Sequence, residues 1–160
     1  MPVTSPHERL RELGITLPAP PPPAASYVQT RLVDVGAGRA FLYVAGQVSA
    51  DGDKILTGRV PTEVSVDEAI RRARLCGMRV LAQLDKAVGL DKVQQIAQLI
   101  GFVLSSDDFG DQPKVINGAS DLLVEVLGDA GKHTRAALGT NALPFSVTIE
   151  IAAVAVVSTG

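Results

Sequence analysis

Tryptophan is absent, aromatic residues make up only 4% of the chain, and Cys76 is the single cysteine. One thiol excludes an intramolecular disulfide and any zinc site built from several thiolates, and it points to a reducing, cytoplasmic setting. The scarcity of aromatics leaves few surfaces on which bases or a flat cofactor ring could stack. A basic excess is missing too. Fifteen Lys and Arg stand against 17 Asp and Glu, a formal charge of −2, so the electrostatic drive for phosphate-backbone binding is lacking. No run approaches the roughly 20 apolar residues of a membrane-spanning helix, and the N-terminus lacks the basic-then-apolar pattern of a secretory leader. His7 and His133 are the only histidines, and neither has a second ligand at metal spacing, so no metal is expected. What is present is a chain of 160 residues, 46% hydrophobic, enough for one domain with an aliphatic core.

Ser5-Pro6-His7-Glu8 reads as a capping box opening a short helix to Leu13, closed by Gly14. Pro18 and Pro20 to Pro23 cannot join a helix or a central strand, so residues 1–24 are expected to be an added helix and proline-rich linker ahead of a single domain over 25–160. Within that domain, Tyr27 to Val35, Phe41 to Val48 and Ile55 to Val60 are β-rich runs separated by turn-like segments, which predicts an antiparallel meander. Ser65-Val66-Asp67-Glu68 is a second capping box, followed by helical spacing of apolar residues from Val66 to Val88 and a stop at Gly89. Val93 to Ser105 is apolar and continuous enough for a central strand. A second long helix runs from about Gln112 to Leu127 and is closed by Gly128, and strands follow over Thr134 to Thr140 and Val147 to Val157. The order βββ-α-β-α-ββ predicts an α+β fold with both helices on one face of one sheet. The other, largely apolar face then needs a cover, for which oligomerisation is the natural candidate.

Arg135 and Glu150 are each the lone charge in an otherwise apolar or small-residue strand, Thr134-Arg135-Ala136-Ala137-Leu138 and Val147-Thr148-Ile149-Glu150-Ile151-Ala152. Unpaired charges are costly there. A hairpin centred near Leu143-Pro144 would set Arg135 opposite about Ala152, with Glu150 as its diagonal neighbour on the same face. Two readings are open at this point. The pair is either a guanidinium fork for a substrate carboxylate beside a general base, or a structural ion pair.

Several segments, in order, resemble the RidA (YjgF-like) superfamily: Tyr27-Val28-Gln29, Ala45-Gly46-Gln47, Asp108-Phe109, Val115-Ile116-Asn117, Arg135-Ala136-Ala137, Leu143-Pro144 and Ile149-Glu150-Ile151. The resemblance covers roughly residues 25–157. It implies a chorismate-mutase-like α+β fold that assembles as a homotrimeric barrel, with sites in the subunit clefts built from two chains. It also implies hydrolysis of reactive enamines and imines, such as 2-aminoacrylate, to a 2-oxo acid and ammonia. That is a 2-iminobutanoate/2-iminopropanoate deaminase-like activity, with a small carboxylate as substrate and no cofactor. Carried over by position, Arg135 holds the substrate carboxylate, Glu150 positions the water, and Tyr27, Asn117 and Gly46 line the pocket. Ala137 stands where relatives often carry Cys and Ala45 where many carry Ser; the loop around Ser105 to Pro113 is longer. With the N-terminal extension, these departures mark a longer subgroup whose substrate could be larger than the three-carbon imine.

Two other functions compete. One is a trimer that captures small carboxylates without turnover. The other is the endoribonuclease activity attached to some L-PSP-type relatives, which the net charge and lack of stacking residues disfavour. Cys76 lies in the apolar run of the long helix and reads as a buried structural thiol. Asp108-Phe109-Gly110 lacks every other kinase element, and Gly36 and Gly38 precede a strand rather than open a helix, so neither marks a nucleotide site.

Overall fold

Ser5 caps the first helix as its sequence predicts. In the computed structural model, which describes residues 4–160, helix α1 (Pro6–Glu12) begins with Ser5 Oγ accepting from the Glu8 N–H (3.2 Å) and Glu8 Oε2 accepting from the Ser5 N–H (2.9 Å). The helix packs on the rest of the protein. Leu10 is buried in the main core, and Arg9 Nε donates to the Glu125 carbonyl (2.9 Å).

Strands β1 (Thr30–Gly36) and β2 (Arg39–Val48) form an antiparallel pair, and β3 (Ala50–Asp51) with β4 (Lys54–Ile55) form a separate two-stranded ribbon. The full third strand expected over Ile55 to Val60 does not form. Gly58 turns the chain at φ +117° and Pro61 has no N–H to give a ladder, so Thr57 and Val60 make only isolated bridges, to Val147 and Ser105. Helix α2 (Val66–Val88), β5 (Val93–Leu104), α3 (Gln112–Leu127), β6 (Thr134–Thr140) and β7 (Ile149–Ser158) follow.

The five long strands make one mixed sheet in the order β1-β2-β7-β5-β6. Only β5 and β6 are parallel, because α3 carries the chain back between them, as a parallel connection requires. Side chains alternate cleanly along β7. Ile149, Ile151, Ala153, Ala155 and Val157 are buried on the helix side, whereas Glu150, Ala152, Val154 and Val156 point to the other face. Across that face, Phe41 and Tyr43 stack edge to face (6.4 Å), and Val33, Tyr43 and Leu138 are 44%, 46% and 48% exposed, so a broad apolar surface lies open on the single chain. On the covered face α2 and α3 approach to backbone contact. A side chain at Gly118 would collide with the Ile70 carbonyl.

The second capping box is only half formed. Ser65 Oγ accepts from the Glu68 N–H (3.1 Å), but the Glu68 carboxylate turns to Arg71 (2.9 Å) and Arg72 (2.8 Å), whose hydrogen bonds pull its pKa down to about 2. Arg72 then spans from α2 to the Thr57 carbonyl (2.7 Å) and Thr148 Oγ1 (2.8 Å), pinning the start of β7. Arg72→Ala is expected to cost about 2 kcal/mol, a melting-temperature loss of roughly 4–8 °C by calorimetry. Because Glu68 is held below its usual value of 4.5, this contribution is complete above that pH and is lost as pH falls toward 2. The variant should therefore show a smaller loss of stability than the parent over that acid range.

Candidate active site

Glu150 sits where β2 carries a bulge. The register steps from Val44↔Ala153 to Gln47↔Ile151, so Ala45 and Gly46 together face the single residue Ala152, beside Glu150. Gly46 is required at this point. A Cβ there would lie 2.9 Å from Glu150 Cδ and closer still to Oε1, so the carboxylate lies directly over bare backbone. Burial raises its pKa above the usual value, and among the described residues no group donates a hydrogen bond to it. Gly46→Ala is expected to push the Glu150 side chain outward into solvent. Its titration, followed by carboxyl NMR, should then fall back toward the ordinary 4.5.

The carboxylate lines a cleft of about 630 Å³ shared with Tyr27, Gly46, Arg79, Phe145 and the prolines 21 and 22. The proline segment is tied down by a run of side-chain amides, of which Gln47 and Gln83 are buried. Gln83 Nε2 donates to Gln47 Oε1 (3.5 Å) and to the Pro21 carbonyl (3.3 Å), Gln47 Nε2 to Gln29 Oε1 (2.8 Å), and Gln29 Nε2 to the Pro22 carbonyl (3.0 Å). Tyr27 precedes β1 and accepts at its hydroxyl from the Ala24 N–H (3.3 Å). The far wall carries Phe145, 70% exposed, with Phe145 and Ser146 both left-handed at φ 57° and 56°. Two adjacent non-glycine residues in that region are a costly conformation of the kind that gathers at functional sites.

Arg135 and Asn117 form a second cluster elsewhere. Arg135 Nη1 donates to Asn117 Oδ1 (2.8 Å) and Ser120 Oγ (3.1 Å), and Nη2 donates to the Pro113 carbonyl (3.1 Å). Behind them His133 Nδ1 faces the Gly131 carbonyl (2.6 Å) and Nε2 faces Ser120 Oγ (2.9 Å). The consistent proton assignment has Nδ1–H donating to the carbonyl and the Ser120 hydroxyl donating to Nε2, so that its oxygen is free to accept from Arg135. Ala137, two residues along β6 on the same side as Arg135, packs against the core.

The hairpin expected to join the Arg135 and Glu150 strands is not formed. β5 lies between β6 and β7, with Leu99 opposite Arg135 and Phe102 opposite Glu150. Those partners are an odd number of residues apart, so Arg135 projects on the helix side and Glu150 on the open side. The two strands are also two spacings, roughly 10 Å, apart. One chain thus brings together Tyr27, Gly46 and Glu150, and separately Arg135, Asn117 and Ala137. Reading the sequence also missed Arg79 and Phe145. Arg79 carries the one usable signal, a charge at the spacing of the apolar stripe of α2. Cys76 is fully buried with its pKa pushed up by burial, and its thiol faces the Ile149 carbonyl (3.8 Å).

A mixed five-stranded sheet, two helices on one face, an open apolar face and a half-buried carboxylate over a bulge define a small α+β protein of chorismate-mutase-like fold. The chain belongs to the family described as "YjgF/chorismate_mutase-like, putative endoribonuclease", whose pattern matches residues 9–155. It is 39% identical over 145 residues to Protein TCP17 of Trypanosoma cruzi, covering 89% of this chain and 88% of that one. Among solved structures it resembles Atu1372 of Agrobacterium tumefaciens, described as of unknown function (40% identity, 96% and 94% of the two chains, TM-score 0.82). It also resembles E. coli TdcF with bound serine (29% identity, 89% and 96%, TM-score 0.58). Among the described residues no helix is long and apolar enough to cross a membrane.

Proposed function

We propose that this protein hydrolyses reactive 2-imino and 2-enamino acids to 2-oxo acids and ammonia, in a site completed by two copies of the chain within a homotrimer. The carrying observation is Glu150: a carboxylate with a raised pKa, seated over Gly46 at the bulge, with no donor among the described residues and facing a cleft. Such a group is suited to take a proton from water. Arg135, already oriented by Asn117, Ser120 and Pro113, offers the fork that a substrate carboxylate needs. Because the two lie on opposite sides of one sheet, a second copy supplies the missing half. The open apolar face around Phe41, Tyr43, Val154 and Leu138 is the surface that would bring copies together.

In this scheme the enamine is first protonated at carbon to give the imine. Arg135 holds the carboxylate while water adds to the protonated carbon–nitrogen double bond and Glu150 takes the water's proton. The resulting carbinolamine collapses, the proton passes to the departing nitrogen, and ammonia leaves with the 2-oxo acid. Carboxylate binding without turnover is a second reading, which the serine bound in TdcF favours for that relative. RNA cleavage, the activity in the family's description, is disfavoured by the charge of −2.

The test is a coupled assay in which an amino-acid dehydratase or oxidase generates the imine and the 2-oxo acid is followed with time. The purified protein is expected to accelerate its appearance at catalytic concentrations. A rate equal to spontaneous hydrolysis, with ligand binding intact, would assign the carboxylate-capture reading instead.

A further inference from the structure

Arg79 is the charge in the cleft that the proposed chemistry leaves unused. It projects from α2 and is only 8% exposed, yet among the described residues it makes a single hydrogen bond, from Nη2 to the Gly52 carbonyl (2.8 Å). Its neighbours on the same helix behave differently. Arg71, Arg72 and Arg74 each have a carboxylate partner, at 2.9, 2.8 and 2.7 Å, whereas among the described residues no carboxylate lies within 4 Å of Arg79. A guanidinium removed from water without a counter-charge is an expensive arrangement that packing alone does not explain. No fully buried side-chain nitrogen or oxygen among the described residues lacks a partner, so the remaining N–H groups of Arg79 border open space rather than core. That space is the cleft of Glu150, Tyr27 and Gly46. Glu150 does not neutralise it, since burial is the sole cause of the Glu150 shift and a paired carboxylate would be pulled the other way.

We infer that Arg79 binds a second anionic group of the ligand, so that the preferred substrate class is a 2-imino dicarboxylic acid, held at its α-carboxylate by Arg135 and at its side-chain carboxylate by Arg79. This rests on the deaminase reading for the reaction but not for the recognition. A planar fork with free donors at the wall of the cleft matches a carboxylate bidentately, and a neutral side chain in the same place would leave the charge unpaired. The ligand then supplies the counter-ion that the described residues lack. The preference is therefore for charge rather than bulk.

Two stable products separate the possibilities: 2-oxoglutarate, which carries the second carboxylate, and 2-oxobutanoate, which does not. By calorimetry the wild-type protein is expected to bind 2-oxoglutarate at least about tenfold more tightly. In Arg79→Gln the ratio of the two affinities should fall to about one, and Arg79→Lys should restore part of it. Equal affinities in the wild type would overturn the inference, as would a variant that loses both ligands equally. So would an Arg79→Gln protein whose oligomer dissociates in sedimentation, because Arg79 would then be paired with a carboxylate of a second copy. If the ratio behaves as expected while no imine is hydrolysed, the recognition stands and the deaminase reading falls.

Discussion

Arg135→Ala is expected to lower kcat/KM for imine hydrolysis by about 10³-fold, the loss of a two-point carboxylate clamp that also orients the reacting carbon. The fold should survive. The groups that Arg135 bridges, Asn117, Ser120 and the Pro113 carbonyl, lie on partly exposed positions of α3 beside the edge strand β6 rather than in the core, and water can replace the guanidinium. Unchanged circular dichroism with lost activity is the expected pair of observations. A stronger result follows from the placement of Arg135 and Glu150 on opposite sides of one sheet. If each site takes Arg135 from one copy and Glu150 from another, an Arg135→Ala chain and a Glu150→Gln chain each lack a different half. Refolded together in equal amounts, they should regain about one quarter of wild-type activity, since half the arginines and half the glutamates are intact and combine independently in a symmetric assembly. Mixtures no more active than their parents would mean that both groups act from the same chain.

That placement also marks where reading the sequence stopped working. Helix α2 was legible to its ends because Ser65 and Gly89 cap an apolar period of 3.6, and α3 and β6 were legible for the same kind of local reason, a glycine stop and a clean change of period. Strand pairing is not local. Adjacent strands joined by a short loop read as a hairpin, but the segment between β6 and β7 contains Pro144 and two left-handed residues and leads β7 away, to insert between β2 and β5. The consequence reaches the site. A pairing error of one strand moved Arg135 to the wrong face relative to Glu150, although both residues were singled out correctly as lone charges in apolar strands. Arg79 failed differently. It stands in a helix with many arginines, and only its place at the spacing of the apolar stripe separates it from those paired at the surface, a signal too slight to show that it would be buried without a carboxylate.

Glu150→Gln should reduce kcat by about 10²–10⁴-fold while leaving substrate binding largely intact, because the amide keeps the shape but cannot accept the proton. The pH dependence distinguishes a general base from a merely polar wall. Burial raises the Glu150 pKa, so the active, ionised form is populated at higher pH than for an ordinary carboxylate, and kcat of the wild type should climb with pH through that raised value. In Glu150→Gln the acid limb should be absent from whatever rate remains. Stability must move in the opposite sense. A carboxyl group raised in the native state favours folding when protonated, and that contribution is lost as pH rises through the native value. The wild type therefore pays for an ionised carboxylate at neutral pH that the glutamine variant does not carry. Glu150→Gln should melt higher than the wild type at pH 7, and the difference should close below the ordinary carboxylate range. A variant that is less active yet more stable, with the gain confined to neutral pH, is the signature of a charge kept in place for chemistry; equal loss of both would identify Glu150 as part of the scaffold.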